Sequence, residues 1–275
     1  MRFSLVDLCS YIILIFLTTA FFFPIFWVAF DSFKPAYMIW ELPPKILFEP
    51  TLDNYILLLE SYPEFLSTLG NSAIITSVTV LLTLSVATVT GYALSRFKFR
   101  FDAQFAFFTV IVRFVPPIII IPSMYIIVRS FGLYDTHFIL IVFYTAFNVS
   151  LSTMMAKVFI DEVPIELEES AMVDGATRYY TFFKVTLPVA APGLAATAVF
   201  IAISAWNEYL FASMFTSKFA KTVPMIVGEI TGSVVGPAWG PLTAAGTILM
   251  MPVLIFSWAV QKYLIKGLTF GAVKG

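Results

Sequence analysis

Residues 11–30 read YIILIFLTTAFFFPIFWVAF, without one Asp, Glu, Lys or Arg. A helix rises about 1.5 Å per residue, so about 20 such residues cross a hydrocarbon core of about 30 Å. Strands of a membrane barrel alternate apolar and polar residues over about 10 positions. Here every face is apolar, so the spanning element is a helix. The apolar run also exceeds the roughly 7–15 residues of a signal-peptide core. The stretch FFFPIFWVAFDSFKP (21–35) holds no small-x-small cleavage site, so the segment is expected to stay as a signal-anchor.

Working outward with the same criterion, residues 8–30, 65–95, 136–156, 185–207 and 230–261 are free of the four charged types, and 103–128 is free of them except for Arg113. Gly, Ser, Asn and Pro in 65–71 and 230–241 read as segments ahead of the helix proper. The expected spans are therefore 10–30, 72–95, 105–128, 137–157, 190–214 and 242–262 of a single transmembrane domain, 1–275. The fold class is an all-α integral membrane protein with six transmembrane helices.

Composition agrees. Of 275 residues, 60% are hydrophobic and 12% charged, about half the charge of a soluble domain. Mean hydropathy is +0.92. A water-soluble enzyme and a disordered chain are excluded, and a net charge of −1 gives no sequence-wide attraction to nucleic acid. One cysteine, Cys9, has no partner for an internal disulfide, and one histidine, His137, cannot build a His-based metal site, so no metal is expected.

Lys and Arg set the orientation. With the N-terminus inside, inner segments hold Arg2, Arg96, Lys98, Arg100, Lys157, Arg178, Lys184, Lys262, Lys266 and Lys274. Outer segments hold only Lys34, Lys45, Arg129, Lys218 and Lys221. The richer side is cytoplasmic. Both termini and the segment 157–184 are then expected in the cytoplasm, with 31–70 extracytoplasmic.

That cytoplasmic segment carries six carboxylates: Asp161, Glu162, Glu166, Glu168, Glu169 and Asp174. Pro164 suits a first helical turn, and acids nearby favour the positive end of a helix dipole. Asp174-Gly175 ends that helix, because glycine accepts the left-handed conformation. Ala176, Tyr179, Tyr180 and Phe183 then form one face of a second short helix. A helix lying on lipid carries Lys and Arg toward the headgroups. This one is acidic in its first half, which favours a groove in a partner protein over the lipid surface.

The stretch ESAMVDGATRYYTFFKVTLPVAAP (169–192) closely resembles the EAA loop of the membrane subunits of bacterial and archaeal ABC importers. Glu169, Ala171, Asp174, Gly175, Ala176, Phe182, Leu187, Pro188 and Pro192 match; Ser170 stands where Ala is usual, and is small enough to pack as closely. SFKP (32–35), TLDNY (51–55), VPPIIIIPSMY (115–125), FGLYDT (131–136), AWNEYLFA (205–212) and the terminal GLTFGAVKG resemble the carbohydrate branch, specifically the maltose-type second permease.

The resemblance implies a type I ABC importer fold with a cytoplasmic coupling helix-turn-helix at 160–188, in the inner membrane of a prokaryote. It implies a heterodimer with a second permease, two ATP-binding subunits and an extracytoplasmic solute-binding protein, in contact with membrane lipid. No G-x-x-x-x-G-K-[ST] occurs, so ATP and Mg belong to the partner ATPases and this chain binds no cofactor and is not an enzyme. Coupling is implied for Glu169, Ser170, Ala171, Asp174, Gly175, Ala176 and Tyr179: Glu169 and Asp174 for polar contacts, Ala171 and Ala176 for close approach. Gly175 serves the turn, contact with the partner, or both. The terminal GLTFGAVKG either reaches the ATPases or frays. The implied cargo is a carbohydrate (a mono- or oligosaccharide, or a polyol), with a glycerol phosphate ester as the alternative.

Inside the spans, Arg113 stands about 15 Å deep by helical rise. A charge there needs pairing or water, so it either pairs with another subunit or lines the cavity. Pro116, Pro117 and Pro122 free backbone carbonyls, which a membrane tolerates only against protein or a wet cavity, so this helix is expected to face the pore. Trp206, Asn207, Glu208 and Tyr209 either stack and hydrogen-bond a sugar or serve as a gate or packing element near the outer surface. An intramembrane protease is disfavoured, since His137 sits at a span end and no span holds a buried Asp in its interior. A proton-coupled secondary transporter has no use for the loop.

Overall fold

The computed structural model describes residues 5–271 except 234, 235 and 237. Arg2, Lys274 and the last four residues of the terminal GLTFGAVKG lie outside the described residues. All regular elements among the described residues are helical. The α-helices are α1 (Leu5–Asp31), α2 (Asp53–Ser61), α3 (Phe65–Arg96), α4 (Asp102–Val112), α5 (Pro117–Ser130), α6 (His137–Asp161), α7 (Ile165–Val173), α8 (Arg178–Thr181), α9 (Leu187–Trp206), α10 (Leu210–Phe215), α11 (Val223–Thr231) and α12 (Trp239–Gly271), with a 3-10 turn at Ala36–Met38 and a π-helical turn at Phe182–Thr186. Among the described residues, five stretches are long and apolar enough to cross a membrane: Asp7–Asp31, Phe65–Arg96, His137–Asp161, Arg178–Trp206 and Trp239–Trp258. The pair α4 and α5 qualifies together as a sixth, but bent by 86°.

The chain divides into two compact units. In the first, residues 1–67 with 226–251, the SFKP and TLDNY segments lock together. Asn54 of α2 donates to the carbonyls of Ser32 (2.9 Å) and Lys34 (2.7 Å), and Ser32 and Tyr55 share a hydroxyl hydrogen bond of 2.8 Å. Lys34 is only 1% exposed; its ammonium pairs with Asp31 at 2.7 Å and lies over the rings of Trp27 and Phe30. A buried charge is tolerable only when paired and solvated by such dipoles. A Cβ at Gly240 would overlap the Asn54 amide, so this α12 glycine is required for close approach.

In the second unit, residues 68–225 with 252–275, α3 and α6 run parallel with one register. Asn71 meets His137 at 2.7 Å near one end, and Ser95 donates to Asp161 at 2.6 Å near the other, both pairs 66 residues apart. Between them Gly91 brings α3 so close that a Cβ would sit 2.9 Å from the backbone nitrogen of Lys157. On α9, Gly193 lies against the Phe159 ring of α6, where again no Cβ fits. Ile75, Leu140, Tyr144, Ala205 and Phe215 belong to one buried cluster, and Ala156, Ile160, Ala190 and Leu194 to another.

Four expected spans differ from the structure. Residues 105–128 do not form one helix. Pro116 and Pro117 have no N–H for the carbonyls of Val112 and Arg113, and Pro117 holds Pro116 extended at φ −63°, ψ 127°. Pro117 then opens a new helix, where a missing donor costs nothing. The expected 190–214 is likewise broken: the helical path begins at Arg178, α9 ends at Trp206, and α10 starts afresh at Leu210. Residues 65–71 are helical rather than a leading segment, because Asn71 spends its amide on the carbonyls of Phe219 and Lys221 (both 2.9 Å) instead of turning its own backbone. At the other end of the chain, α12 begins at Trp239 rather than 242, since Pro241 falls in its first turn.

Candidate functional site

The segment 157–192 forms a helix, a tight turn and a second helical stretch. Helix α7 closes with a Schellman arrangement: Ala176 N–H donates to the Ala171 carbonyl (3.0 Å) and Gly175 N–H to that of Met172 (3.1 Å). Gly175 has φ +90° and nothing within 4 Å of a built Cβ, so the turn requires its backbone freedom, not its small size. Thr177 then caps α8, its hydroxyl accepting from Tyr180 N–H at 3.3 Å. A π-helical turn, Phe182–Thr186, joins α8 to α9 without a break.

Most of the anticipated coupling residues point to solvent. Glu169, Ser170, Asp174 and Gly175 are exposed, and Ala171 and Ala176 are half-buried. Tyr179 is 82% and Val173 88% exposed, with Tyr180 and Phe183 also on show. This apex leaves aromatic and branched side chains uncovered, flanked by acids. A surface of that kind marks an interaction site.

The residue the sequence reading passed over is Glu168, one position before Glu169. Glu168 is only 3% exposed. Its carboxylate accepts from Arg96 Nε (2.8 Å), the Tyr92 hydroxyl (3.1 Å) and the Thr186 hydroxyl (2.8 Å). Arg96 in turn donates to the carbonyls of Ile160 (3.0 Å), in the last turn of α6, and of Val163 (2.8 Å), just past it. A signal existed in the sequence: Glu168 lies three residues before Ala171, on the same helical face as a small residue rather than on the acidic outer face.

The residues anticipated inside the membrane stand apart from this site. Arg113 lies at the α4–α5 break, half-buried, with Nη1 donating to the Phe147 carbonyl at 2.8 Å and its guanidinium 3.8 Å from the Phe147 ring centre. Pro116 is the last residue before α5. Glu208 caps α10 by accepting from the N–H groups of Phe211 (2.8 Å) and Ala212 (3.2 Å), and Asn207 donates to the Ile203 carbonyl at 2.9 Å. These bonds end one helix and begin the next.

A second carboxylate site lies beyond the other end of α6. Asp135, at φ +60°, accepts four backbone N–H groups in a row, from Ser217 (3.1 Å) and from Lys218, Phe219 and Ala220 (each 3.0 Å). Partial burial raises its pKa, but the four N–H groups outweigh this and hold it below the ordinary carboxylate value.

Comparison with known proteins follows the same outline. Residues 80–270 match the family described as binding-protein-dependent transport system inner membrane component. The chain is 32% identical to the trehalose/maltose transport system permease protein MalG of Thermococcus litoralis, covering 92% of this chain and 91% of that one. It is also 32% identical to the trehalose transport system permease protein SugB of Mycobacterium tuberculosis, covering 92% of each. Among solved structures, one chain of a bacterial ABC transporter that imports the acidic polysaccharide alginate superposes with a TM-score of 0.77 at 21% identity, over 96% of this chain and 99% of that one. The chain belongs to the family of binding-protein-dependent transport system inner membrane components.

Proposed function

We propose that this chain is the pore-forming subunit of an ATP-driven importer that carries a mono- or oligosaccharide, or a polyol, across the inner membrane. The observation that carries the reading is the apex of 165–183: an apolar, acid-flanked surface presented to solvent on a capped and ion-paired frame. Such a surface suits a groove in a water-soluble partner. In a family of transport components that partner is an ATPase subunit, which also holds the ATP and Mg. Relatives named for trehalose and maltose transport support a sugar cargo.

In this reading the apex and both termini face the cytoplasm, and Asp135 faces the opposite side. Glu169, Ser170, Asp174 and Tyr179 meet the ATPase, and Gly175 keeps the turn. The solute passes the α4–α5 break, where Arg113 and Pro116 border carbonyls that lack helical donors. Asn207 and Glu208 shape the far end of the path. A second, different permease completes the pore, and an extracytoplasmic binding protein delivers the solute to it.

The test is uptake of a panel of labelled sugars by the purified complex of this chain, a second permease, two ATPases and a binding protein in liposomes. ATP-dependent accumulation of one sugar class is expected. Uptake that ignores ATP, or accumulation of no sugar in an assembled complex, contradicts the proposal.

A further inference from the structure

The apex of the 157–192 segment is joined to the rest of its unit by two short connections, Glu162–Pro164 before α7 and Asp174–Thr177 after it. Connections of three or four residues leave a nine-residue helix free to swivel unless something else holds it. Beside its packing on α8 and the Phe182–Thr186 turn, α7 is held by the polar contacts of Glu168. Its carboxylate takes Arg96 and Tyr92 from α3 and Thr186 from the turn that leads into α9. Arg96 extends the same network to the last carbonyls of α6 and, through Ser95, to Asp161. Glu168 thus ties the coupling helix directly to α3 and to the turn into α9, and through Arg96 to the end of α6. The bonds are charge-assisted and buried, with only 8% and 5% of the Arg96 and Glu168 side chains exposed, so the joint resists shear better than surface pairs do.

We propose that Glu168 is the positioning residue that transmits displacement of α7 to α3, α6 and α9, so that movement imposed at the apex turns into movement of the spans. The inference rests on the reading of the apex as the ATPase-docking surface. Docking residues and the transmission residue are then separate sets: Tyr179 and its neighbours receive the ATPase, whereas Glu168 touches no partner and passes the motion inward. Coupling between distant sites needs such a contiguous element with defined contacts on both sides.

The experiment compares wild type, Glu168→Gln, Glu168→Asp and Thr186→Val in the full complex with its ATPases and binding protein. Sugar uptake and ATP hydrolysis are measured in the same liposomes and normalised to assembled complex. A cysteine at Tyr179 reports docking by cross-linking to the ATPase. For Glu168→Gln, unchanged cross-linking and sustained hydrolysis are expected, with sugar moved per ATP falling about tenfold, a typical coupling free energy. Glu168→Asp, which keeps the charge, should regain part of that loss. Thr186→Val, which removes only the arm to α9, should lose less than Glu168→Gln. A purely structural role would lower the amount of assembled complex and leave sugar per ATP at the wild-type value in every variant, and that result overturns the proposal. Absence of the cross-link from the Tyr179→Cys chain with Glu168 and Thr186 unchanged would instead contradict the docking reading.

Discussion

The two ends of α6 are each held by a buried or half-buried carboxylate, but by different chemistry. At the His137 end, Asp135 gathers four consecutive backbone N–H groups of residues 217–220. At the Asp161 end, Glu168 gathers side chains from α3 and from the turn before α9, and its partner Arg96 gathers carbonyls of the α6 end. The first knot depends on one residue, since any non-proline residue supplies an N–H. The second depends on four side chains whose identities all matter. A loop that only needs fixing can rely on backbone; a helix that has to move with its neighbours needs contacts distributed among them.

The comparison breaks most visibly at Arg96. Arg96→Ala leaves the Glu168 carboxylate buried without its cation and takes one donor from each of the carbonyls of Ile160 and Val163, and is expected to cost about 3–5 kcal/mol. Thermal unfolding of the assembled complex in detergent measures it, and Glu168→Gln on the same background should restore a substantial part. The surface pair Lys157–Asp161, with side chains 30% and 43% exposed, is the internal control, expected to contribute no more than about 1 kcal/mol. Equal costs for the two pairs would remove the distinction.

Next in size is Asp135→Asn, which takes the negative charge from four N–H donors and should cost about 2 kcal/mol, confined to that knot. Hydrogen exchange checks it: the amides of 217–220 should lose protection while those of α7 keep theirs. The knot also has a defined pH response. A carboxylate with a depressed folded pKa stabilises fully above its unfolded value and loses that contribution as pH falls through the folded one. Protection of 217–220 should therefore stay constant from pH 7 down to the ordinary value of 3.8 and decline only below it.

Gly175→Ala probes the turn that presents the apex. Its φ of +90° strains any L side chain, while open space around it rules out a clash, so a loss of about 1 kcal/mol is expected. Smallest of all on folding is Tyr179→Ser, within about 0.5 kcal/mol for a side chain 82% exposed. Its effect should appear instead as weaker ATPase association in pull-down from detergent. A stability loss comparable to that of Gly175→Ala would mean that Tyr179 serves the fold.

Much of this was legible in the sequence. The uninterrupted apolar stretch 11–30 gives α1, and Asp174-Gly175 gives the turn that a positive φ later explains. What escaped is long-range or local and polar. Helices apolar on every face carry no periodicity to show which side is buried, so the α3–α6 register came only from Asn71–His137 and Ser95–Asp161. Breaks at 113–116 and 207–209 fall inside apolar runs that hydropathy reads as continuous, although Pro116-Pro117 marked the first. Choosing Glu168 over Glu169 required knowing that Arg96, 72 residues earlier, waits on its inner face.

Everything proposed for α7 and Glu168 depends on the 165–183 apex facing the cytoplasm and docking on an ATPase. The most direct test is a cysteine at Tyr179, in an otherwise cysteine-free chain, treated first with an impermeant thiol reagent on intact cells and then with a short cross-linker in the purified complex. No labelling from outside and a cross-linked adduct with the ATPase subunit are expected. Labelling of Tyr179→Cys on intact cells, or an assembled complex that yields no ATPase adduct, would contradict this.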